Sequence, residues 1–307
     1  MSLIKGDMNS VPGPHFLLRE KMRRMITAGE EKYVLTSAYI PEHIVGLMTR
    51  LSGGEPFLIE DYFCCRKDDW IIVVGYPLQR DFSINEFEAV IDKIMKRFHP
   101  VYASLIAPEL PLSLIASCRE RESDHYYTLD IHNTIIKSRL KRSVDEALED
   151  LTVERSADLR QTHEELGQEF IERAKPPSRI RELLLKMPQY VGHSRDSVVL
   201  NAWDKKDHLA AFYVVDLAAK NFSTYVIGCH SKKNYVPGAS DLLFFEMINL
   251  SKEYAKDYIH LGLGVNKGIR QFKKKWGGIP TRRYEMCELA ARRPSILDTF
   301  TAMGQKL

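Results

Sequence analysis

The stretch LGLGVNKGIRQFKKKWGG, residues Leu261 to Gly278, decides the fold that we expect for this chain of 307 residues. It overlaps the end of an apolar segment, Tyr258 to Gly262, which is predicted to be a buried strand. A Gly-Val-Asn turn comes next, then a predicted helix from Lys267 to Lys275 and a final strand from Arg283 to Leu289. The stretch therefore predicts a strand that ends in a glycine-containing turn and continues as a short helix.

The elements that precede this stretch predict a mixed α/β sheet. Three apolar runs separated by polar turn residues indicate an antiparallel meander. A loop and a helix then lead to the strand at Tyr258. The predicted elements are a strand at Leu151–Glu154, a helix at Asp158–Ala174 capped by Ser156 or Asp158, a helix at Ser178–Lys186, strands at Ser197–Ala202, His208–Asp216 and Phe222–Cys229, the loop Ser231–Ser240 and a helix at Asp241–Ala255.

The first half of the chain contains a weaker version of the same order. Two strands joined by a polar turn are followed by an amphipathic helix and two further strands. We therefore predict two related α/β domains in tandem, residues 1–132 and 133–307, of which the second is better preserved. The predicted elements of the first half are strands at Phe57–Cys65, Trp70–Val74, Val101–Ile106 and Tyr126–Ile131 and a helix at Ile84–Phe98.

The segment between the halves, Asn133 to Leu151, has helical periodicity and an unusual order of charges. Basic residues come first and acidic residues follow, which opposes the helix macrodipole. One interpretation is a solvated helix face. The other is a basic surface near a polyanionic substrate. The basic residues are Lys137, Arg139, Lys141 and Arg142.

The composition is that of a globular protein. Hydrophobic residues make up 44% of the chain and charged residues 28%, and a chain of this length needs no disulfide or metal to be stable. The net charge of +3 is too small to indicate nucleic-acid binding over the whole surface. The histidines show no HxxxH or HExxH spacing, so no metal site is predicted.

The cysteines and the N-terminal sequence predict a cytoplasmic protein, either a monomer or a homodimer. The cysteines have no zinc-type spacing, and we expect reduced thiols. We see neither the apolar core of a signal peptide nor a run of about 18 apolar residues that would predict a membrane span. The first dozen residues are expected to be mobile. The five cysteines are Cys64, Cys65, Cys118, Cys229 and Cys287.

The motif at residues 261–278 resembles the terminal motif of Fem-type aminoacyltransferases and of the related family that includes phosphatidylglycerol lysyltransferase domains. Both belong to the GNAT superfamily. The resemblance covers the second half of the chain well and the first half only by element order. It implies a GNAT fold and the transfer of an acyl or aminoacyl group. The matching residues are Gly262, Gly264, Asn266, Gly268, Phe272, Lys273, Trp276 and Gly277, with Pro237 to Ser240 upstream.

The loop Ser231–Ser240 is the predicted donor-binding element. Pro237 and Gly238 allow a sharp turn, and Ser240 or Asp241 can cap the next helix, whose first N–H groups can bind a phosphate or carboxylate. The resemblance implies coenzyme A pyrophosphate here, but the usual arginine and second glycine are missing, so a simple strand-to-helix turn remains the alternative. The predicted donor-binding residues are Ile227, Gly228, Cys229, Val236, Pro237, Gly238, Ala239, Ser240, Asn266 and Phe272.

Four residues are predicted to be catalytic. In Fem-type families the lysine of the FK pair is implicated in stabilising negative charge near the acyl centre, and Lys273 occupies that position. A cation stabilises such charge better in a partly dry cleft than in water. Asn266 offers a donor and an acceptor at the strand end. His230 and Tyr225 are candidates for proton transfer, with Cys229 and Glu246 as weaker ones; a structural His230 and a purely packing role for Phe272 and Trp276 are the alternatives.

These features predict an acyltransferase that moves an acyl group from acyl-coenzyme A to an amine. Fem-type enzymes that use aminoacyl-tRNA often carry a coiled-coil arm, and this chain has no sustained heptad stretch. The atypical donor loop favours the alternative, an aminoacyl-tRNA-dependent Fem-type aminoacyltransferase. A non-catalytic ligand-binding protein on a GNAT scaffold is the third possibility.

Overall fold

Eleven strands form one continuous mixed sheet in the computed structural model, which describes residues 26–290. The expectation for the first dozen residues lies outside this range. The strands are β1 (Glu55–Ile59), β2 (Tyr62–Lys67), β3 (Trp70–Val74), β4 (Tyr102–Ala107), β5 (Cys118–Asp130), β6 (Leu151–Ser156), β7 (Ser197–Asp204), β8 (Leu209–Asp216), β9 (Phe222–His230), β10 (Tyr258–Leu263) and β11 (Ile279–Ala290).

Helices cover both faces of this sheet. No helix within residues 26–290 is long and apolar enough to cross a membrane. The helices are α1 (Ala28–Ser37), α2 (Val45–Ser52), α3 (Ile84–Phe98), α4 (Leu112–Ile115), α5 (Ser138–Asp150), α6 (Gln161–Ala174), α7 (Ser178–Val191), α8 (Ala239–Glu253) and α9 (Lys267–Lys275), and a 3-10 turn (Pro41–His43) lies between α1 and α2.

The strand order across the sheet is β1-β2-β3-β4-β11-β5-β10-β9-β8-β7-β6. The pairs β3–β4 and β9–β10 are parallel, and every other neighbouring pair is antiparallel. The last strand, β11, therefore lies between β4 and β5, two strands of the first half of the chain. The mixed α/β architecture is confirmed. The two halves of the chain share one sheet, and strands from both halves form its middle.

A disulfide links two of the cysteines, so the prediction that all five are reduced thiols is wrong. Cys118 begins β5, and Cys287 lies in the adjacent strand β11, with a Cα–Cα distance of 5.4 Å. The two residues are 169 positions apart in the sequence, and only the pairing of β5 with β11 brings them together. Cys64, Cys65 and Cys229 are free and buried.

Some strand predictions are wrong in extent for local reasons. The segment Phe57–Cys65 is not one strand, because a turn at Glu60, where φ is 54°, divides it into β1 and β2. The strand predicted at Tyr126–Ile131 is the end of β5, which begins at Cys118. Its exposed charged residues hide that part from a hydrophobic pattern, and pairing with β11 holds it in place.

Several predicted helix ends and caps also differ. Helix α5 begins five residues after Asn133, because the Asp130 carboxylate accepts the backbone N–H groups of residues 132 and 133 in a turn. Arg160 precedes α6, so neither Ser156 nor Asp158 is its N-cap. Gly238 is the N-cap of α8, so neither Ser240 nor Asp241 has that role. Helices α1, α2 and α4 were not predicted.

Candidate functional site

The sheet opens between the parallel strands β9 and β10. Their register ends at the pair His260–Thr224. Beyond this pair β9 continues beside β8 as far as His230, whereas β10 continues beside β5. The two strands therefore separate beyond this pair, which opens the sheet between them.

The first half of the chain lacks this opening within the described residues. The parallel pair β3–β4 stays in register to Val74–Ile106, and the Gly75 N–H then donates to the Ile106 carbonyl at 2.6 Å. A Cβ on Gly75 would lie 2.5 Å from the Phe87 ring and 2.7 Å from the Ala107 side chain. The space that a ligand would need is therefore filled by packing.

A constrained turn follows β10. Gly262 has a φ of 70° and Val265 one of 55°, a rare conformation for a β-branched residue. Asp124 on β5 holds the turn, because its carboxylate accepts the Val265 N–H at 2.7 Å. Asn266 is the N-cap of α9 and accepts the Ile269 N–H at 3.0 Å. A Cβ on Gly262 would meet nothing within 4 Å, so a ligand can approach this backbone.

Lys273 lies beside the opening and is only 5% exposed. Its ammonium donates to the Leu263 carbonyl at 2.5 Å, and Nζ is 5.5 Å from the centre of the Tyr127 ring. Burial lowers the pKa of Lys273 to about 7, while Asp124 opposes this shift. A buried cation without a paired carboxylate is costly, and here the Leu263 carbonyl is the hydrogen-bond acceptor that Lys273 has instead.

Trp276 packs in the core on the α8 side, as the packing interpretation predicted, whereas Phe272 is half-buried: it packs against Phe244 and also lines the cleft at the start of α8. The Trp276 ring stacks on Phe244 with centroids 4.9 Å apart, and its Nε1–H donates to Asp241 at 2.9 Å. Lys275 also pairs with Asp241, at 2.7 Å, so it is not simply solvated. The sequence did not indicate this role for Asp241, because its partners come more than 30 residues later.

The predicted donor loop borders a cleft of about 230 Å³ at the start of α8. Gly238 has a φ of 79°, and a Cβ there would lie 2.9 Å from the Ala147 side chain and 3.0 Å from the Ser143 carbonyl. Helix α5 therefore packs closely against this turn. Of the predicted donor-binding residues, Val236, Gly238, Ala239, Ser240 and Phe272 line the cleft, together with His230 and Lys275; Pro237 is exposed and does not line it.

The basic end of α5 is near this cleft. The Ser143 hydroxyl donates to Asp241 at 3.5 Å, and Arg139 and Arg142 precede Ser143 by four residues and one residue. Lys137, Arg139, Lys141 and Arg142 are all exposed. Within residues 26–290, none of the four forms a salt bridge.

The predicted residues on β9 have different surroundings in the structure. Tyr225 packs edge-on against Tyr213 with centroids 4.9 Å apart, and burial raises the pKa of Tyr225 well above its ordinary value. Gly228 leaves room for both rings, since a Cβ would lie 2.4 Å from Tyr213 and 2.6 Å from the Tyr225 hydroxyl. Ile227 and Cys229 are buried in the hydrophobic cluster that includes α6 and α7.

His230 is the half-buried end of β9. Burial lowers its pKa, and Arg173 and Lys232 lower it further. The imidazole is therefore neutral at neutral pH and can accept a proton. Glu246, a weaker candidate, is instead paired with Arg155 at 2.6 Å. Among the described residues, no three His, Cys, Asp or Glu side chains are grouped to hold a metal ion.

Comparison with known proteins shows the fold. No family model matches the sequence, and no curated protein matches it. The chain is similar in structure to FemX (TM-score 0.57, 12% identity, covering 85% of this chain and 96% of FemX). It is similar to L-PGS from Bacillus licheniformis (TM-score 0.51, 14% identity, covering 92% and 97%) and to a tandem GNAT protein from the clavulanic acid biosynthesis pathway (TM-score 0.51, 11% identity, covering 76% and 79%).

Proposed function

We propose that this chain, whose fold is that of GNAT and Fem-like proteins, transfers an acyl group from acyl-coenzyme A to an amine. The observation that carries the proposal is the buried Lys273 beside the opening between β9 and β10. FemX and the tandem GNAT protein are among its structural neighbours. The donor would lie in the cleft at the start of α8, with its acyl group in the opening.

The side chains at the opening and at the α8 cleft suit the steps of acyl transfer. Attack by a neutral amine on the thioester carbonyl gives a tetrahedral intermediate with a negatively charged oxygen, which the Lys273 ammonium would stabilise. His230 is neutral and would accept the proton of the amine. Tyr225 keeps its proton because of its raised pKa, and its hydroxyl would stabilise the departing thiolate by a hydrogen bond. Asn266 would act indirectly, because its side chain caps the N-terminal end of α9, the helix whose residues Phe272 and Lys275 line the cleft.

The alternative donor, an aminoacyl-tRNA, is favoured by one observation. Asp241 places a carboxylate in the first turn of α8, where a coenzyme A pyrophosphate would lie. Lys275 neutralises this charge, but Asp241 still occupies one side of the site. A donor that is bound mainly by a basic surface, such as the basic end of α5, would depend less on the N-terminal end of α8.

Ligand-dependent thermal stability distinguishes these possibilities. We expect acetyl-, succinyl- or long-chain acyl-coenzyme A to raise the melting temperature by several degrees at concentrations well above Kd. Acyl-pantetheine thioesters, which lack the nucleotide phosphates, serve as the control. Stabilisation by charged tRNA alone would favour the second donor. Stabilisation by an acyl-coenzyme A without turnover on any amine would favour the non-catalytic binding protein.

A further inference from the structure

Two charged residues of α6 contact the start of the predicted donor loop, Ser231–Ser240. Glu169 and Arg173 are one helical turn apart and form a salt bridge, with 3.1 Å between Oε1 and Nη1. We name these two residues the α6 pair. They have no part in the chemistry proposed above, yet both side chains reach the end of β9 or the loop that follows it. The pair therefore joins α6 to the part of the chain that borders the α8 cleft.

The Glu169 carboxylate accepts two hydrogen bonds from the loop. The Ser231 hydroxyl donates to Oε2 at 2.9 Å, and the Lys232 N–H donates to Oε1 at 2.6 Å. Burial raises the pKa of Glu169, but these bonds and the charge of Arg173 outweigh burial and lower the pKa below its ordinary value. The carboxylate is therefore ionised at neutral pH, and hydrogen bonds to an ionised acceptor are stronger than those between neutral groups.

The Ser231 hydroxyl connects Glu169 to the next turn of the loop. Ser231 is only 2% exposed, and its hydroxyl accepts the Asn234 N–H at 2.9 Å. Tyr235 and Val236 follow directly and line the cleft at the start of α8. The positions of these two lining residues therefore depend on a series of hydrogen bonds that begins at Glu169.

Arg173 contacts the end of β9. One guanidinium N–H donates to the His230 carbonyl at 3.4 Å, and another donates to Glu169. His230 also lines the cleft. Helix α6 is itself fixed against the sheet, because Leu166 is buried in the hydrophobic cluster that includes Cys229 of β9. The α6 pair thus connects a packed helix to the side of the cleft that β9 and the loop form.

We propose that Glu169 and Arg173 are positioning residues, which fix the donor loop and the end of β9 in the arrangement that binds the donor. A loop that is ordered only when its ligand binds loses affinity to the entropy of ordering. Because the α6 pair orders the loop beforehand, the donor meets a preformed side of the cleft. The inference rests on the proposed function only in assigning this loop to donor binding.

Trypsin cleavage of the native full chain, without any donor, tests the positioning of the loop. Lys232 and Lys233 are exposed, and cleavage after them requires the loop to open locally. We expect Glu169→Ala and Ser231→Ala each to raise the cleavage rate about tenfold, because each removes hydrogen bonds that involve a charged acceptor. Unchanged cleavage in both variants would contradict the positioning role.

Two further variants separate local opening from a general loss of stability. Glu172→Ala removes an exposed carboxylate of the same helix, which accepts the Gln168 amide, and should leave cleavage unchanged. Glu169→Gln keeps the size of the side chain without its charge, and its rate should lie between those of the wild type and Glu169→Ala. Urea denaturation of every variant measures the globally unfolded population. Cleavage that rises only in proportion to this population, or that rises equally in Glu172→Ala, would overturn the proposal.

Steady-state kinetics measure the effect on the donor. We expect Glu169→Gln to raise KM for the acyl-coenzyme A about tenfold and to leave kcat within about twofold, because only the positioning of the loop is lost. A lower kcat at unchanged KM would reject the positioning role. Faster cleavage in the variants of a chain that binds no acyl-coenzyme A would keep the positioning of the loop and reject the proposed function; unchanged cleavage in a chain that transfers acyl groups would do the reverse.

Discussion

At the scale of single residues, Lys273 carries most of the proposed chemistry. Replacing it with Met keeps the length and packing of the side chain but removes its charge. Because one preorganised donor to an oxyanion contributes on the order of 10²-fold or more in rate, we expect Lys273→Met to lower kcat/KM by about 10²-fold. Lys274→Met, at an exposed position next to it, is the control. Wild-type activity in Lys273→Met would exclude charge stabilisation by this residue.

The pH dependence of activity follows from the same residue. Burial lowers the pKa of Lys273 to about 7, so the cation is present below this pH and is lost as the pH rises through it. If the cation stabilises the intermediate, Lys273 should contribute a falling limb to the profile of kcat/KM, centred near pH 7. Lys273→Arg keeps its charge at all these pH values and should shift that limb upward. An identical limb in this variant would assign the titration to another group.

The sequence predicted these residues unevenly, for physical reasons. Lys273 follows from a local motif, and Trp276 from helical spacing. Asn266 was predicted at the strand end; in the structure it follows the turn after β10 and is the N-cap of α9. Asp241 and Asp124 were missed, since each is defined by partners distant in the sequence.

At the scale of elements, the turn into α8 depends on Gly238. Its positive φ and the close Ala147 side chain both oppose a Cβ. We expect Gly238→Ala to lower the free energy of unfolding by more than about 1 kcal/mol, measured by urea denaturation. Gly46 in α2 has open space around it, so Gly46→Ala should instead raise stability by about 0.5–1 kcal/mol. Similar effects of both changes would contradict this account of the turn.

The basic end of α5 gives a prediction about the donor. If its unpaired cations attract phosphate groups, a variant with Arg139→Gln and Arg142→Gln should bind the polyanionic donor more weakly and with a smaller salt dependence. Titrations at several ionic strengths measure both quantities. Lys205→Gln removes a cation that is already paired with Asp150 and is the control. Equal salt slopes in the two variants would support the solvated-face interpretation.

Element order was predictable in the second half because strands and helices there are apolar and separated by turn residues. The helices α3 and α9 and the strand β3 have the predicted bounds. The charged part of β5 and helices α1 and α2 were missed. These elements are held by tertiary packing and by pairing with β11 rather than by their own hydrophobic patterns.

At the scale of the whole molecule, the predicted halves depend on each other through β11. The fragment 133–307 lacks β4 and β5, the two strands that flank β11, so we expect it to aggregate or remain unfolded by itself. Refolding 1–132 together with 133–307 should restore a soluble complex, measured by size-exclusion chromatography. The Cys118–Cys287 disulfide should then hold the fragments together on a non-reducing gel. A soluble, folded 133–307 would show that the second half is an independent domain.

The position of β11 also has a consequence for synthesis. Of the described strands it is the last to leave the ribosome, yet it fills the middle of the sheet. Until β11 has been synthesised, β4 and β5 each expose the edge that pairs with it. The first half therefore cannot complete its fold as it emerges. Nascent chains of this protein should therefore depend on holding chaperones for most of their elongation.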